Sequence, residues 1–397
     1  MKKPVQDRTA QQFTSRIKHP LCLMGGVLGL MFLNTAHAQS SVTLYGLIST
    51  GVAYANDVET NSATHKGSSL VQLANGGMQA PRWGIKGVED LGGGTTAIFT
   101  LENGFSITNG SLSGSKMFAR QAFVGLSNKQ YGTVTLGRQY DELPQLLWWG
   151  ESGNVFAGNG THIGDSDNMY NTYRYNNDVR YQSPTIYGFT IAGDYAFSNS
   201  TGFSNNNAYS LGSTYIAGKL KLGVAFSANN RRSNAADNNT ASGAVDTTSY
   251  YTSPFQYAKN STTIGTDSQR IFGASANYDF GIVNATVSYT NVLFNYSNYS
   301  GLRLQNVEGF VYKRFTPAWM AGVAYIYTFG RYSDGTEPRY HQVNLGTIYS
   351  LSKRTDLFLW GVYQRAAGSA QHAQIYGIGE SATKSQLEFE AGIRHRF

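Results

Sequence analysis

The chain has 397 residues, with 31 Lys and Arg against 24 Asp and Glu, a net charge of +7 and a pI near 9.2. Its single cysteine, Cys22, lies in an N-terminal leader, so the mature chain is expected to lack disulfides, thiolate metal sites and cysteine nucleophiles. The 45 Gly, 27 Tyr and 21 Phe, a mean hydropathy of −0.31 and the lack of a second long apolar run argue against membrane helices and favour aromatic-rich β-structure.

The leader has the three parts of a secretory signal peptide. Basic residues within positions 2–18 precede an apolar run at 21–33, and the sequence Thr35-Ala36-His37-Ala38 follows. This ending predicts cleavage after Ala38. Cleavage removes five basic residues and one acidic residue, so the net charge falls from +7 to +3. We therefore expect a signal peptide at 1–38, an exported domain at 39–397 and no nucleic-acid partner.

Segments of alternating polarity bounded by turn residues recur about sixteen times after the leader. The predicted strands are 41–54, 79–88, 95–105, 117–126, 133–140, 172–182, 188–197, 208–217, 219–228, 269–279, 281–291, 302–313, 319–330, 339–350, 355–366 and 384–397. Short turns alternate with long polar loops near 55–78, 141–171, 229–268 and 367–383. Short turns at one rim and long loops at the other are typical of a bacterial outer-membrane barrel.

Two strands show the alternation expected of a barrel wall. Within 173–181, Tyr175, Val179 and Tyr181 share one parity, while Arg, Asn and Asp occupy the other. The last strand alternates apolar and charged residues from Leu387 to Phe397. A charge on the lipid face at mid-membrane costs about 2–4 kcal/mol, so the charged parity is predicted to point inward. A soluble β-sandwich would also alternate, but the signal peptide, the even strand count and the loop asymmetry favour the barrel.

The segment 141–171 is the unusual element of the chain. About thirty residues rich in Gly, Asn and Asp separate two predicted strands, and a loop of that length inside a compact domain is uncommon unless it is functional. A barrel lumen offers such a polar segment a hydrated place to fold. We predict that the loop folds inward and narrows the lumen of a diffusion pore.

Ordered pieces over nearly the whole mature chain resemble one family. They include Ser41-Val42-Thr43-Leu44-Tyr45-Gly46, Arg82-Trp83-Gly84-Ile85-Lys86-Gly87, Tyr131-Gly132-Thr133-Val134-Thr135-Leu136-Gly137-Arg138-Gln139-Tyr140, Gly164-Asp165-Ser166-Asp167-Asn168 and Gly392-Ile393-Arg394-His395-Arg396-Phe397. Together these pieces resemble the trimeric general porins of Gram-negative bacteria. The resemblance implies an all-β fold, a sixteen-stranded antiparallel transmembrane β-barrel with an inward-folded third extracellular loop, in the cell outer membrane.

The resemblance also implies a pore constriction in which basic wall residues face the inward loop. The expected constriction residues are Arg82, Arg120, Arg174, Lys86 and Glu102 on the wall and Asp165 and Asp167 on the loop. Which of the two loop acids meets the arginines stays open. Arginine keeps its charge at any working pH, and a low-dielectric wall focuses that charge into the pore. The alternative is that these are ordinary lumen-facing charges.

Three further features carry expectations of their own. Arg138 shares its parity with outward-pointing Val134 and Leu136, which would be costly in lipid, so we assign it to a trimer contact, with a position near the rim as the alternative. The terminal Phe397 matches the aromatic residue that the family's barrel-assembly machinery reads. The pair Trp148-Trp149 departs from the family pattern and is the one feature that favours a substrate-specific channel.

No catalytic residue, metal site or cofactor is predicted. The acids of 141–171 could suggest paired-carboxylate catalysis or a hard-cation site, but a Gly-rich and Asn-rich loop fixes neither geometry. The mature histidines show no HExxH or other ligand spacing, and no GxSxG motif supports a nucleophile; they are His65, His162, His341, His372 and His395.

The expected function is passive diffusion of small hydrophilic solutes and ions across the outer membrane, with a weak to moderate anion preference set by the wall arginines. A substrate-specific outer-membrane channel is the alternative, and an outer-membrane enzyme is disfavoured. The expected partners are two further copies in a homotrimer, outer-membrane lipid and lipopolysaccharide, the barrel-assembly machinery, and small hydrophilic solutes and anions.

Overall fold

The structure, a computed structural model, describes residues 40–61, 63–230, 243–245 and 254–397. The expected signal peptide and half of the expected loop at 229–268 lie outside the described residues. The strands are β1 (Ser41–Asn61), β2 (Lys66–Asn75), β3 (Arg82–Gly92), β4 (Thr95–Gly104), β5 (Gln121–Asn128), β6 (Gly132–Gln139), β7 (Tyr175–Gln182), β8 (Phe189–Ala196), β9 (Asn207–Ala217), β10 (Leu220–Asn230), β11 (Thr266–Asp279), β12 (Asn284–Tyr296), β13 (Gly301–Arg314), β14 (Trp319–Tyr332), β15 (Pro338–Ser350), β16 (Thr355–Gly368) and β17 (Ser385–Arg396).

Helical structure in the described chain is short. One α-helix, α1 (Glu142–Leu147), is followed by a 3-10 turn at Trp148–Gly150, a π-helical turn at Gly153–Ala157 and a 3-10 turn at Ile163–Asp165. A further 3-10 turn lies at Ser113–Ser115. Among the described residues, no helix is long and apolar enough to cross a membrane.

The strands close into one barrel. Each strand from β3 to β16 pairs antiparallel with the next strand in the chain, β1 pairs with β2, and β17 pairs with β1. β2 and β3 both pair with β1, where Asn75 lies opposite Thr50 and Arg82 opposite Leu47. They are therefore two halves of one wall strand, interrupted at residues 76–81. Seventeen segments fill sixteen positions, which confirms the predicted barrel.

The wall alternates as β17 was predicted to alternate. Leu387 and Phe389 are exposed on the outer surface, whereas Glu388 and Glu390 are buried on the inner side. Exposed Val and Leu side chains recur at every second position of other strands, for example Val52 and Leu345. The outer surface is therefore apolar, as lipid contact requires.

Tyr175 is an exception to the predicted alternation. The prediction that it points outward with Val179 is wrong, because its side chain is fully buried and its hydroxyl bonds to Asn229 on the inner side. The pairing of β6 with β7 shifts register here, and Asn177 takes a left-handed φ of +53°. An extra residue of this kind in one strand reverses which face the following side chains occupy.

The segment 55–78, predicted as a polar loop, is mostly strand. β1 continues to Asn61 and β2 begins at Lys66, with these two residues paired across a tight turn. A hairpin that projects from the barrel rim into water keeps its backbone hydrogen bonds without an apolar face. The polar composition of 55–78 therefore made the predicted first strand, 41–54, too short.

Residues 141–171, which we call the inward loop, pack against the inner wall at glycines. A Cβ added at Gly223 or Gly273 would lie 2.5 Å or 2.9 Å from the side chain of Leu147 in α1. A Cβ at Gly322 would lie 2.5 Å from the ring of Phe156, and one at Gly346 would overlap the Phe156 carbonyl oxygen. The glycines thus leave two sockets that a larger side chain would fill.

Gly346→Ala should force the inward loop off its socket and destabilise the barrel by about 1–3 kcal/mol, the usual cost of overpacking. Thermal unfolding of the purified protein measures this effect. Gly309→Ala is the matched control, because nothing lies within 4 Å of a Cβ at that position of β13. Equal melting temperatures for both variants would show that Gly346 is not a socket.

Candidate functional site

The structure brings Arg82, Arg120 and Arg174 together on one side of the lumen. Arg120, which precedes β5, donates from Nη2 to the Tyr140 hydroxyl at 2.7 Å. Arg174, which precedes β7, donates to the same oxygen at 3.3 Å, and its guanidinium lies 4.8 Å from the centre of the Tyr140 ring. Arg82 of β3 lines the same cavity as Arg120. We call these three residues the arginine cluster.

Glu102 of β4 forms hydrogen bonds with Arg120 of the arginine cluster and with Tyr45 of β1. Its Oε1 accepts from Arg120 Nε at 2.7 Å and its Oε2 accepts from the Tyr45 hydroxyl at 3.0 Å. Both Glu102 and Arg120 are buried. One carboxylate against three guanidinium groups leaves an excess of positive charge.

The pKa of Tyr140 reflects its arginine neighbours. Burial raises the pKa of its hydroxyl, but Arg120, Arg174 and Arg82 lower it, and the net result is a pKa below the ordinary value. Nearby positive charge favours the phenolate, whereas burial disfavours it. At this position the three guanidinium groups together act on the pKa of Tyr140 more strongly than burial does.

Two adjoining cavities lie inside the barrel, and together we call them the passage. The first, about 430 Å³, is lined by Arg82 and Arg120 from the wall and by Asn171 and Tyr376 from loops. The second, about 790 Å³, lies toward the short turns. Gln79 and Asn154 line both cavities, so the two cavities meet where the interrupted wall strand approaches the inward loop.

The second cavity adds basic residues that sequence reasoning did not assign to the pore. Its charged lining consists of one acid, Asp356, and five basic residues: Lys221, Arg314, Lys353, Arg394 and Arg396. The alternation of the last strand had already placed Arg394 and Arg396 on the inner side. Lys353 lies in a short turn, where side chains do not alternate between two faces, so the sequence did not indicate that it points inward.

Asp165 and Asp167 lie inside the inward loop, away from the arginine cluster. Asp165 accepts from the backbone N–H groups of Tyr170 and Thr172 at 2.9 and 2.8 Å. Asp167 bonds to His162 within the loop and to Thr290 on the wall. The structure therefore does not bring these two carboxylates to the arginines, since the loop uses them for its own backbone and anchoring.

Lys86 and Arg138 also lie apart from the cluster. Lys86 is exposed, with its Nζ 5.4 Å from the centre of the Tyr45 ring. Arg138 donates from Nε to the carbonyl oxygen of Ala119 at 2.7 Å and from Nη1 to the Asn176 side chain. These contacts hold Arg138 beside the strand ends of its own chain.

Phe397 forms backbone hydrogen bonds with the first strand at the place where the barrel closes. Its backbone N–H donates to the Gly46 carbonyl oxygen of β1, and its own carbonyl oxygen accepts from the Gly46 N–H, both at 3.0 Å. A Cβ added at Gly46 would lie only 2.5 Å from the ring Cζ of Phe397. Phe397 is therefore fixed at the end of the wall with 41% of its surface exposed.

A buried ionic cluster joins the inward loop to the opposite wall. His162 Nδ1 lies 2.5 Å from Asp167 Oδ2 and 3.8 Å from Glu151 Oε1, and its Nε2 lies 3.2 Å from Glu308 Oε2 of β13. Burial lowers the pKa of His162, but the carboxylates, Asp167 foremost, raise it well above the ordinary value. Burial raises the pKa of Glu151 well above its usual range. The histidine is thus the charged partner of a group of acids.

Most of the sequence matches the profile of one protein family, described as Gram-negative porin, over residues 29–369. The chain belongs to this family. Among its relatives, an outer membrane porin protein of Bordetella pertussis is 29% identical over 94% of this chain and 99% of the relative. Outer membrane porin protein 32 of Delftia acidovorans is 29% identical over 91% of this chain and 95% of the relative.

Solved structures of a porin and of an outer membrane protein share the fold. The anion-selective porin from Comamonas acidovorans superposes with a TM-score of 0.70 at 23% identity, covering 90% of this chain and 100% of that one. The trimer form of OmpT from Vibrio cholerae superposes with a TM-score of 0.63 at 13% identity, covering 90% and 99%. The predicted porin barrel of the bacterial outer membrane is confirmed, and the protein is an outer-membrane channel.

His162→Gln should destabilise this porin by about 3–5 kcal/mol at neutral pH, because it leaves buried carboxylates without their cation. The raised pKa means that the His162 charge is fully stabilising below about 6.5 and is lost only as the pH rises through the higher folded value. Melting temperatures measured from about pH 8 to about pH 5 test this, since acid protonates the acids left behind and should recover part of the loss.

His395→Gln is the control, because His395 is exposed and contacts Thr355 at the short-turn rim. A variant at His162 that melts like the wild type at neutral pH would contradict the role of the buried ionic cluster as an anchor. A loss that stays constant across the pH range would contradict its electrostatic origin.

Proposed function

We propose that this porin passes small hydrophilic solutes and ions by passive diffusion with a weak to moderate preference for anions, and that the arginine cluster and the inward loop form its constriction. The charge of the passage carries the proposal. Seven basic side chains and one acidic side chain line the two adjoining cavities. Fixed charge on a low-dielectric wall attracts counter-ions into the opening and repels ions of the same sign.

The acids of the interior do little to offset this charge. Glu151 and Asp167 are fully buried between the inward loop and the wall. Asp356, which does line the passage, accepts from Arg394 and Arg396 at 2.8 and 2.7 Å. That single carboxylate is shared by two arginines, so the lining of the two cavities keeps an excess of positive charge.

The relatives support this assignment. A solved structure of the same fold is an anion-selective porin, and the curated relatives that cover nearly the whole chain are outer membrane porins. We assign no catalytic step to the site, because its loop acids serve as hydrogen-bond acceptors inside the protein.

We further infer that the porin works as a homotrimer embedded in outer-membrane lipid and lipopolysaccharide. An outer membrane protein of the same fold, solved in a trimer form, supports the assembly. The exposed apolar outer surface supports the lipid contact. Phe397, fixed at the closing seam, suits a signal for the barrel-assembly machinery, and Arg138 lies on the outward parity that a subunit contact would bury.

A substrate-specific channel is the second candidate, and Trp148 favours it. Trp148 lines the second cavity and is 49% exposed, which is unusual for an indole inside a polar channel. Its neighbour Trp149 is buried, and Lys221 Nζ lies 4.4 Å from the Trp149 ring centre. An exposed aromatic face beside cations suits a flat anion such as an aromatic carboxylate.

Arg82→Ala and Arg120→Ala should each lower the anion-to-cation permeability ratio by about five-fold, because a unit charge about 4 Å from a passing ion contributes about 1 kcal/mol in water. The larger effect is expected for Arg120→Ala, which also frees the Glu102 carboxylate. Reversal potentials of single channels in a KCl gradient measure the ratio.

Arg339→Ala controls for total charge, because Arg339 is 47% exposed and paired with Glu337 at the long-loop rim. Clear cation preference in the wild type would refute the proposed selectivity. Unchanged reversal potentials in both wall variants would remove the arginine cluster from the constriction. Arg138→Ala should leave the potential unchanged and weaken the oligomer in native gels.

Trp148→Leu should reduce channel block by benzoate by up to about ten-fold, since an aromatic contact contributes about 0.5–1.5 kcal/mol beyond its buried area. Block is read from current fluctuations with the anion added on the short-turn side. Cyclohexanecarboxylate carries the same charge without the aromatic face. Trp319→Leu, a change at an exposed Trp that donates to Thr347, is the matched control. Equal block by both acids would leave simple diffusion as the only function.

A further inference from the structure

Two histidines from opposite ends of the chain meet at the long-loop rim. His65 ends the tight turn between β1 and β2, and His372 lies in residues 369–384, which we call the last loop. Their ring centres are 4.6 Å apart. Glu59 of β1 completes the group, with its Oε1 3.1 Å from His65 Nδ1. One ligand atom from each of the three residues lies within 4.8 Å of the other two.

The hydrogen bonds of the two histidines indicate which nitrogen each could offer to a metal ion. His372 Nδ1 lies 2.7 Å from the carbonyl oxygen of Ser381. A carbonyl only accepts, so Nδ1 carries the proton and Nε2 has a free lone pair. A histidine whose Nδ1–H is held by an oxygen while Nε2 is free has the tautomer and orientation of a metal ligand. On His65 it is Nδ1 that faces Glu59 Oε1, at 3.1 Å, so an ion bound between these two atoms would take the place of the Nδ1 proton.

The backbone around the trio is firmly held. Glu59 N–H donates to Glu380 O at 2.9 Å and Ala382 N–H donates to Asp57 O at 2.8 Å, so the last loop is paired with β1 beside the ligands. His65 is exposed to solvent, whereas Glu59 and His372 are half-buried. The trio is therefore both anchored and accessible to an ion from outside.

We propose that Glu59, His65 and His372 form a binding site for Zn²⁺ at the long-loop rim, one that ties the β1–β2 hairpin to the last loop. Zn²⁺ favours two imidazoles and a carboxylate, with water as the fourth ligand. Hard ions such as Ca²⁺ and Mg²⁺ favour all-oxygen sites, so nitrogen ligands select against them. The sequence showed no metal spacing because the ligands are not neighbours in the chain.

A second trio, Glu151, His162 and Asp167, has the right residue types but a different setting. It is fully buried, and its atoms already bond to one another and to Thr161 and Thr290. Those contacts describe a closed anchor. The rim site is the one that an ion can enter.

The last loop gives the rim site a connection to the channel. Tyr376 of that loop lines the first cavity with Arg82 and Arg120. Its hydroxyl lies 3.0 Å from Thr172 Oγ1, and its ring stacks edge-on to Tyr170 at 5.3 Å. A metal that holds the last loop against β1 would therefore also hold Tyr376 in place beside the constriction.

Metal binding is tested on the full-length mature protein in detergent, purified without a histidine tag. Calorimetric titration with ZnCl₂ should give one Zn²⁺ per chain, and Cu²⁺ as a spectroscopic probe should show coupling to two imidazole nitrogens in its EPR spectrum. His65→Gln and His372→Gln should each weaken binding by at least about ten-fold, since each removes a direct ligand. His341→Gln, at a histidine that bonds to Tyr325, should bind as the wild type does.

Hydrogen exchange read by mass spectrometry tests the tie between the two segments. Zn²⁺ should slow exchange in peptides covering 59–66 and 369–384 in the wild type and not in the two histidine variants. Binding unaffected by both variants, coupling to two imidazole nitrogens that persists in either variant, or Zn²⁺ that changes exchange in neither segment would overturn the proposal. None of these measurements needs ion flow, so they succeed or fail independently of the proposed anion preference.

Discussion

The inward loop must find a place inside the barrel, and the rest of the channel depends on how it is held. Its apolar side chains, Leu147 and Phe156, enter sockets that wall glycines leave open, because any Cβ there would collide with them. Between the sockets, His162 joins loop acids to Glu308 of the wall. Apolar fit sets the position of the loop, and the buried charges make that position specific, since a displaced loop would leave unpaired ions in a dry environment.

This arrangement also separates charges of opposite sign. Glu151 and Asp167 of the loop and Glu388 of β17, which accepts from Asn159, are buried in the contact between loop and wall. Arg82 and Arg120, by contrast, line the passage. A chain with a small net charge therefore presents a strongly one-signed passage. Net charge was a poor guide to the channel, because selectivity depends on which charges face water in the lumen.

The alternation of apolar and charged residues predicted the wall well, because every barrel strand must show one face to lipid. It failed at Tyr175, where one extra residue in β7 reverses the faces and leaves no mark in the composition. The three wall arginines were found through family resemblance, and the basic lining near the short turns was missed. The partners of Asp165 and Asp167 could not be predicted, because they depend on how the loop folds on itself. His65 and His372 meet only once the barrel closes.

That closure sets a demand on assembly. β17 can pair with β1, and Phe397 with Gly46, only after the whole chain has been made and arranged. Until then both terminal strands are open edges, each with a row of unpaired backbone groups that another chain could capture. Contacts between the two ends of a chain form slowly, since so much chain entropy must be lost before they form. The last residues therefore determine how long the barrel stays vulnerable to mispairing.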